Sequence, residues 1–552
     1  MSSLVPKTFT VLKNYDRSQF GKDVISGLVV GIIAIPLSIA LAISSGVGPE
    51  QGLYTAIVAG FIISFLGGSR VQVGGPTAAF VPIVYTILQD YGISGLQIAT
   101  IMAGAFLIFM AVAKLGAIIR FIPYPIVTGF TSGIAISILV KQFKDFFGLT
   151  MEKTPAEFPE LIHEYIKSIG TTNLQILGIG ALSLIIMVLW KKYSPVKFSV
   201  IPGSLLAIII TTLIVQLFSM DEVITIGSKY NQLSSIIPVL TIPDLPDMHT
   251  FKMLLGPAIS IALLAGIESL LSAVVADGMI GGHHRSNAEL MAQGTANIAS
   301  ALLGGIPATG AIARTAANIK TGGRTPVAGM VHALSIFLIM LVLIDYAKMI
   351  PLTTLAAILI MVAYNMADWE VFRDIFKAPK SDMIVFFITF LLTVVFDMMI
   401  AIEIGMAMAI LLFMKRMIEV TEVNLVNDSE IDDLAESNQR KLIKERFNDS
   451  VLLYEIRGPF FFGASDKFLR VNSNTKNNTK YIILEMKDVP AIDVTGLHYL
   501  TQLYKTCKSN DVKLLFCGIR TQPMKVLHRS GFVDHCGESS FYKTVDEAIE
   551  AI

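Results

Sequence analysis

Long apolar runs, broken by short polar stretches, govern most of this chain. From about residue 24 to 417 the pattern divides into fourteen apolar segments: near 24–45, 51–67, 76–89, 97–114, 121–141, 171–190, 198–218, 254–276, 286–303, 308–319, 326–344, 350–366, 381–397 and 399–417. Several approach or exceed the ~18 residues that suggest a bilayer-spanning helix. Two, 76–89 and 308–319, are short for a ~30 Å hydrocarbon core. Beyond 417 the pattern changes. Residues 418–450 are polar and read as a linker or an exposed helix. In 451–552, VLLYEI, YIILEM and VKLLFCGI predict buried strands, and 495–508 and 522–529 predict helices. The expected order is therefore a cytosolic lead-in (1–23), a polytopic α-helical membrane region (24–417), a linker (418–450) and a soluble α/β domain (451–552).

The membrane region repeats. GLYTAIVAGFIISFLGG (52–68) aligns without gaps on ELMAQGTANIASALLGG (289–305), matching Leu53 with Leu290, Ala59 with Ala296 and the closing LGG. Each block precedes a short broken segment, VGGPTAAFVP (73–82) and PATGAIARTAAN (307–318), third in each set of seven. Seven is odd, so two sequential halves (about 24–218 and 254–417) must cross the membrane in opposite senses. That is an inverted repeat, and paired interrupted segments in such a repeat point to the binding site.

Composition agrees with the pattern: 53% of the 552 residues are hydrophobic and 16% charged. The net charge of zero offers no case for nucleic-acid binding. Cys507, Cys517 and Cys536 have neither metal-ligand spacing nor a paired framework, which suggests a reducing compartment for that end. Lys and Arg bias the orientation. With the N-terminus inside, the inner connections carry Arg70, Lys114, Arg120, Lys191, Lys192, Lys197, Arg285, Lys320, Arg324, Arg373, Lys377 and Lys380. The outer ones carry fewer cations, mostly in the two longest loops. Both termini are expected in the cytosol.

The broken segments carry the candidate chemistry. A half-helix starting at the membrane midplane presents unpaired N–H groups and roughly half a positive charge. Two facing N-termini make an anion site without a charged side chain. Pro76 and Pro307 suit helix starts, Gly74, Gly75 and Gly310 permit close backbone approach, and Thr77 and Thr309 offer hydroxyl donors. Arg314 would add a full charge near both dipoles; the ordinary alternative is that it snorkels or pairs with a carboxylate. Glu268, mid-span in GIESLLSA, is placed to carry a coupling proton or to help hold sodium, with Ser272 one turn on as an oxygen ligand. The alternative is a structural Glu268–Arg314 ion pair. Pro36 frees a carbonyl inside segment one, with Ser38 beside it; a plain kink is equally open. Asp277 reads as a helix-end partner, Asp397 and Glu403 as a solvated turn, and His283 and His284 as a solvated loop rather than a metal site.

These residues bring a family likeness. GIIAIPLSIALA, GLYTAIVAG, GGSRVQVGGPTAAF, GIESLLSAVVADG, SNAELMAQGTANI and GGIPATGAIARTAAN together resemble the SulP anion transporters, solute carrier family 26 in animals. The resemblance implies fourteen spans in two inverted seven-span repeats, a core and a gate domain, and a homodimer in the bacterial inner membrane. It implies an anion near Pro36 to Ser38, near Thr77, Ala78, Ala79 and Phe80, and near Ala311, Ile312, Ala313 and Arg314. It places Glu268 at the family's coupling position. Leu37 stands where many members have glutamine, and Ala313 where vertebrate motor and exchanger members have serine. IESLLSAVVADGM, QGTANI, VAYNMA and VVFDMMIAI are similar to the aerobic C4-dicarboxylate branch. The tail resembles a STAS domain, with AIDVTGLHYL placing Thr495, after Asp493, where related domains carry a phosphorylated serine. A cap at that turn is the alternative, and a cytosolic partner could dock on the domain.

The expected function is proton-coupled uptake of a C4-dicarboxylate, or else sulfate, by an elevator-like motion of core against gate. Sodium-coupled bicarbonate uptake is the runner-up. An uncoupled anion channel and a STAS-centred sensor are the rivals; a buried carboxylate argues against the channel. No nucleophile–base pair, nucleotide loop or metal cluster suggests an enzyme, and no cofactor beyond the coupling ion is implied.

Overall fold

A computed structural model describes residues 4–117, 123–151, 155, 158–194, 201–230, 237–244, 246–367, 369–396, 398–425, 450–461 and 479–552. The chain forms two compact units, Met1–Ala407 and Met408–Ile552. In the first, the principal elements are α1 (Arg17–Ser44), α2 (Pro49–Leu66), β1 (Gly74–Gly75), α3 (Val81–Val112), α4 (Tyr124–Lys141), α5 (Leu174–Tyr193), α6 (Gly203–Leu217) and α7 (Met248–Ile280). There follow α8 (Ser286–Leu302), β2 (Thr309–Gly310), α9 (Ile312–Lys320), α10 (Pro326–Ala347), α11 (Leu352–Met366) and α12 (Lys380–Val395), and α13 (Met398–Val420) spans the division between the units. Within the described residues, each apolar segment found in the sequence lies mainly on a helix, the two short ones only after a non-helical start. Among the described residues, six helices are individually long and apolar enough to cross a membrane, by length and composition.

Local chemistry sets the helix ends. Asp16 caps α1 by accepting from Gln19 N at 2.8 Å, and Asn173 caps α5 through Gln175 N and Ile176 N. Gly281, left-handed at φ 67°, ends α7. α3 is two limbs: Gly92 (φ 65°, ψ −170°) interrupts it between the third and fourth predicted spans. α1 starts upstream of the predicted residue 24. Pro36 lies within it, and the helix continues past it to Ser44.

The halves interlock. α10 packs on α1 and α2, while the second limb of α3 packs on α8 and α7. These are equivalent fourth spans, so each half's fourth helix lies against the other half's first two. Small residues allow the approach: a Cβ on Gly104 would meet Gly294 O at 2.6 Å, and one on Gly294 would meet Gly104 O at 2.5 Å. A second group joins α4, α5, α6, α11 and α12. Apolar stripes such as Leu334, Leu338 and Leu341 on α10 stay exposed, as faces turned to lipid must.

The second unit carries a five-stranded sheet in the order β3-β4-β5-β6-β7: β3 (Glu422–Leu425), β4 (Val451–Arg457), β5 (Tyr481–Asp488), β6 (Lys513–Cys517) and β7 (Phe541–Tyr542). β3 pairs antiparallel with β4 and the rest are parallel. The predicted strands and helices 494–509 and 521–529 are all present. β3, however, falls in the stretch read as a linker; four residues of mixed polarity at a sheet edge carry too little pattern to stand out. Both sheet faces are covered, one by Leu500, Leu503 and Leu527, the other by Val545, Ala548 and Ile549, hence the nearly continuous apolar runs. Burial pushes the Cys507 thiol up to about 11 and those of Cys517 and Cys536 up to about 12, which makes all three poor nucleophiles.

Gly294→Val should destabilise the first unit by at least the ~1–3 kcal/mol typical of overpacking. Gly278→Ala, where an added Cβ meets nothing within 4 Å, should be neutral or stabilising by up to ~1 kcal/mol. Melting temperatures of the purified protein check both.

Candidate functional site

The two broken segments meet. β1 and β2 pair antiparallel, Gly74 opposite Gly310 and Gly75 opposite Thr309. Beyond β1 the chain runs through Pro76 and Thr77 into the 3-10 turn Ala78–Phe80 and then α3. Beyond β2 it passes Ala311 into α9. Pro76 and Pro307 are therefore not at helix starts. Each lies beside the ladder, where a residue without an N–H removes no strand bond; Pro82 takes the early helical position of α3 instead.

Neither helix start is capped by its own side chain. Thr77 and Ala311 occupy the cap positions and neither makes a side-chain cap bond. Ala311 has no acceptor to give. Thr77 turns its hydroxyl to Glu268 Oε2 at 3.0 Å. Thr309 donates to Ala265 O at 2.9 Å, so neither threonine is the unengaged donor expected from the sequence. The outcome is two helix N-termini without side-chain caps, each following one strand of the crossing. Ala78, Ala79, Phe80 and Ala311 are buried, whereas Ile312 is 40% exposed and Ala313 is exposed as well. α9 thus opens onto accessible space at its first turn.

Arg314 is the third residue of α9 and 3% exposed. It does not snorkel. Its Nη2 donates to Pro76 O at 2.8 Å, with a longer 3.5 Å approach of Nη1 to Gly74 O. Its Nε has no partner, and no carboxylate among the described residues lies within ion-pairing distance. The Glu268–Arg314 ion pair is not formed. Gly75 makes room for the guanidinium: with φ +148°, a Cβ there would meet Arg314 Nη1 at 2.3 Å.

α7 backs the crossing along one helical stripe. Ala265 O, Glu268, Ser269 O and Ser272 bond respectively to Thr309, Thr77, Gln72 and Thr315. Ser272 Oγ is held by Thr315 Oγ1 at 3.3 Å, so it is not joined to the Glu268 carboxylate one turn away. Glu268 itself is partly exposed, deep in the bundle. Pro36 and Ser38 are buried, and the Ser38 hydroxyl has no partner. It is Leu37 that reaches a cavity of about 450 Å³, shared with Trp190, Lys191, Met361 and Asn365.

Several supporting residues escaped the sequence reading. Asn297 grips Ala308 through both its amide and carbonyl, and Asn318 Nδ2 holds Val71 O at 2.8 Å. Gln72 fills the space beside Gly310. Glu289 is buried and accepts from Gly68 N, Ser69 N and Gln293 Nε2. His332 is fully buried with both ring nitrogens unpartnered. The available signal was a single polar residue on an otherwise apolar face. His284 corrects the solvated-loop reading: its side chain is 4% exposed and bonds Asp277 at 2.7 Å, because the tight turn at Gly281 folds the loop back onto α7. Asp277 is the helix-end partner expected, and His283 stays exposed. Glu403 is exposed but lies inside α13 rather than in a turn, since the run after 398 is long enough to stay helical; Asp397 lies outside the described residues.

In the second unit Asp493 Oδ1 accepts from Gly496 N at 2.7 Å, so aspartate is the cap of helix 494–509 and Thr495 stands half-buried in its first turn.

The sulfate permease family profile matches residues 20–389, covering the first half, the crossing and most of the second half. The chain belongs to the sulfate permease family. The STAS domain profile matches residues 443–548. YvdB of Bacillus subtilis, provisionally named a sulfate transporter, is 39% identical over 536 residues, 97% of this chain and 98% of its own. The bicarbonate transporter BicA of Picosynechococcus is 28% identical over 525 residues, 92% and 90% of the two chains. The inward-facing structure of murine solute carrier 26 member A9, described as an anion transporter, superposes with a TM-score of 0.85 over 99% of this chain and 93% of its own at 19% identity, a likeness of fold. The chain is a multi-pass membrane anion transporter of this family and not an enzyme. The likeness to the C4-dicarboxylate branch gains nothing from these relatives, which are named for sulfate and bicarbonate.

Gly75→Ala should push Arg314 off the Gly74 and Pro76 carbonyls and lower anion uptake by about tenfold or more, as expected when a positioned binding group is misplaced. Size-exclusion profiles of the purified protein should stay unchanged. Uptake at wild-type rates would show that the arginine needs no such seat.

Proposed function

We propose that this protein takes up a small oxyanion, sulfate first and bicarbonate second, at the crossing of β1 and β2. The observation carrying the reading is two uncapped helix N-termini flanking one buried arginine with an unpartnered Nε. Together they offer about two units of positive charge at a compact point. A C4-dicarboxylate asks for a second cation a few ångströms off, and among the described site residues Arg314 is the single one. Sulfate therefore moves ahead of the dicarboxylate expected from the sequence.

Glu268 is the coupling group in this reading. An anion on the N-termini and an ionised Glu268 repel each other, so anion binding is linked to a proton on the carboxyl, or to sodium held beside it. Thr77 joins the two sites, since its hydroxyl bonds Glu268 while its backbone leads into the α3 terminus. Core helices α1, α2, α3 and α7 to α10 would carry the anion past the group formed by α4, α5, α6, α11 and α12, in an elevator-like cycle, within a homodimer whose termini are cytosolic. Thr495, in the first turn of its helix, is a regulatory candidate: a phosphate there would be favoured by the helix N-terminus.

Uptake of labelled sulfate, bicarbonate and succinate into proteoliposomes, under imposed proton or sodium gradients, tests the reading in wild type and Glu268→Gln. Proton-driven sulfate uptake is expected in wild type, and gradient-insensitive flux in the variant. Sodium-driven bicarbonate uptake would reassign the substrate and the ion. Flux that ignores gradients in both proteins would remove the coupling role of Glu268 and leave a channel.

A further inference from the structure

A second cavity, of about 370 Å³, lies where the N-terminal segment meets the transmembrane unit. Lys7, Arg70 and Arg324 line it, with Asp16, Tyr15 and Gln19. They come from three places: the short helix Lys7–Val11, the loop after α2, and the loop between α9 and α10. Each wall is fixed. Lys7 N donates to Gly67 O at 2.9 Å, Thr8 Oγ1 to Phe65 O at 2.7 Å, and Arg285 Nη1 to Val5 O at 2.9 Å. Across the cavity, the fully buried Asp23 accepts from Tyr15 Oη, Gln19 Nε2, Arg324 N and Thr325 Oγ1.

The neutral polar groups are thus engaged, and the cations lack a carboxylate partner: among the described residues, none lies within ion-pairing distance of Lys7, Arg70 or Arg324. Asp16 is engaged as the α1 cap and Asp277 holds His284. Arg324 Nη1 donates to Ile319 O and Gly323 O, which fixes the guanidinium and leaves its other N–H groups without an acceptor among the described residues. Burial, with Arg285 and then Arg70 close by, draws the Lys7 ammonium below its usual value.

Like charges converging on a rigid cavity repel until an anion sits among them. Two guanidinium forks and an ammonium match the oxygens of a phosphate, and the volume falls in the range of small-ligand pockets. We propose that this cavity binds a phosphate group, apart from the transport site, and so ties the N-terminal segment to the loops after α2 and α9. The phosphate could come from the headgroup of an anionic lipid, drawn to cationic surfaces at the bilayer edge, or from a free phosphate.

Two arms separate these sources, both on the full-length protein carrying Arg314→Gln, which removes the one full cation at the crossing. In the first, inorganic phosphate is titrated against matched chloride. In the second, native mass spectrometry counts phosphatidylglycerol retained from nanodiscs. Adding Arg70→Gln and Arg324→Gln should weaken the phosphate titration by about tenfold or more, which would assign free phosphate. Loss of one retained lipid in that variant, with no phosphate titration in its parent, would assign the headgroup. If the variant does not fold, Lys7→Gln takes its place with the same readouts. No phosphate titration and no retained lipid in the parent, or no change on removing the cations, overturns the proposal. Because parent and variant share the Arg314 replacement and differ only at this cavity, the difference between them is independent of the transport reading.

Discussion

Everything in the transmembrane unit is arranged around a four-residue antiparallel crossing, Gly74–Gly75 against Thr309–Gly310. Extended backbone at membrane depth is tolerable only if its polar groups are satisfied by protein or turned to a water-filled cavity. The surrounding helices meet that demand. α8 holds the chain entering β2 through Asn297 and Ser300, α9 holds the chain entering β1 through Asn318 and Thr315, and α7 lays a polar stripe along the back. With the approaches secured on both sides, the groups left over are the two helix N-termini. The fold satisfies the crossing and leaves its two helix starts without side-chain caps, and the proposed anion site is that remainder.

Arg314 follows from the same geometry. A cation in the first turn of a helix sits at the wrong end of the dipole, and a buried, unpaired guanidinium is costly in hydrocarbon. Two carbonyls of the opposite segment, Gly74 and Pro76, offset part of that cost. They do not neutralise the charge. The site is therefore held in a state that an anion improves, without a carboxylate that would have to be displaced first. Glu268 is near enough to be felt and joined through Thr77, yet it leaves the arginine unpaired.

Much of this was legible in the sequence because hydropathy and the repeat are strong signals. Long apolar runs can be satisfied only as helices, and the LGG match set the register that brought 73–82 opposite 307–318. The arginine and the glutamate stood out because full charges are rare in spans. What the sequence hid was hydrogen-bond direction. Nothing in PTAAF says that Thr77 bonds a carboxylate rather than its own helix, nor in PATG that Thr309 faces α7. Pro76 and Pro307 misled because proline is equally at home at a helix start and beside a short ladder. Buried amides such as Gln72, Asn297 and Asn318 look like scattered polar residues until the crossing they support is seen. β3 hid for a different reason: its pairing partner lies across a long polar stretch and its four residues carry no clear alternation.

A transporter must release what it binds, and this bears on why the site is built from backbone. Several full cations in a low-dielectric pocket would hold a small anion strongly and would be costly to leave empty during the return step. Helix termini supply partial charges that are always present, need no counter-ion and lose little when the anion departs. One arginine, leaning on carbonyls in the empty state, adds the attraction the dipoles lack. In the proposed cycle the remaining adjustment falls to a single titratable or cation-binding group, Glu268, set one hydroxyl away from a helix terminus. With the attraction divided in this manner, a change of one charge at Glu268 is comparable to half of the positive charge the anion meets. A coupling ion can then decide whether the site is filled, which it could not do beside a cluster of permanent cations.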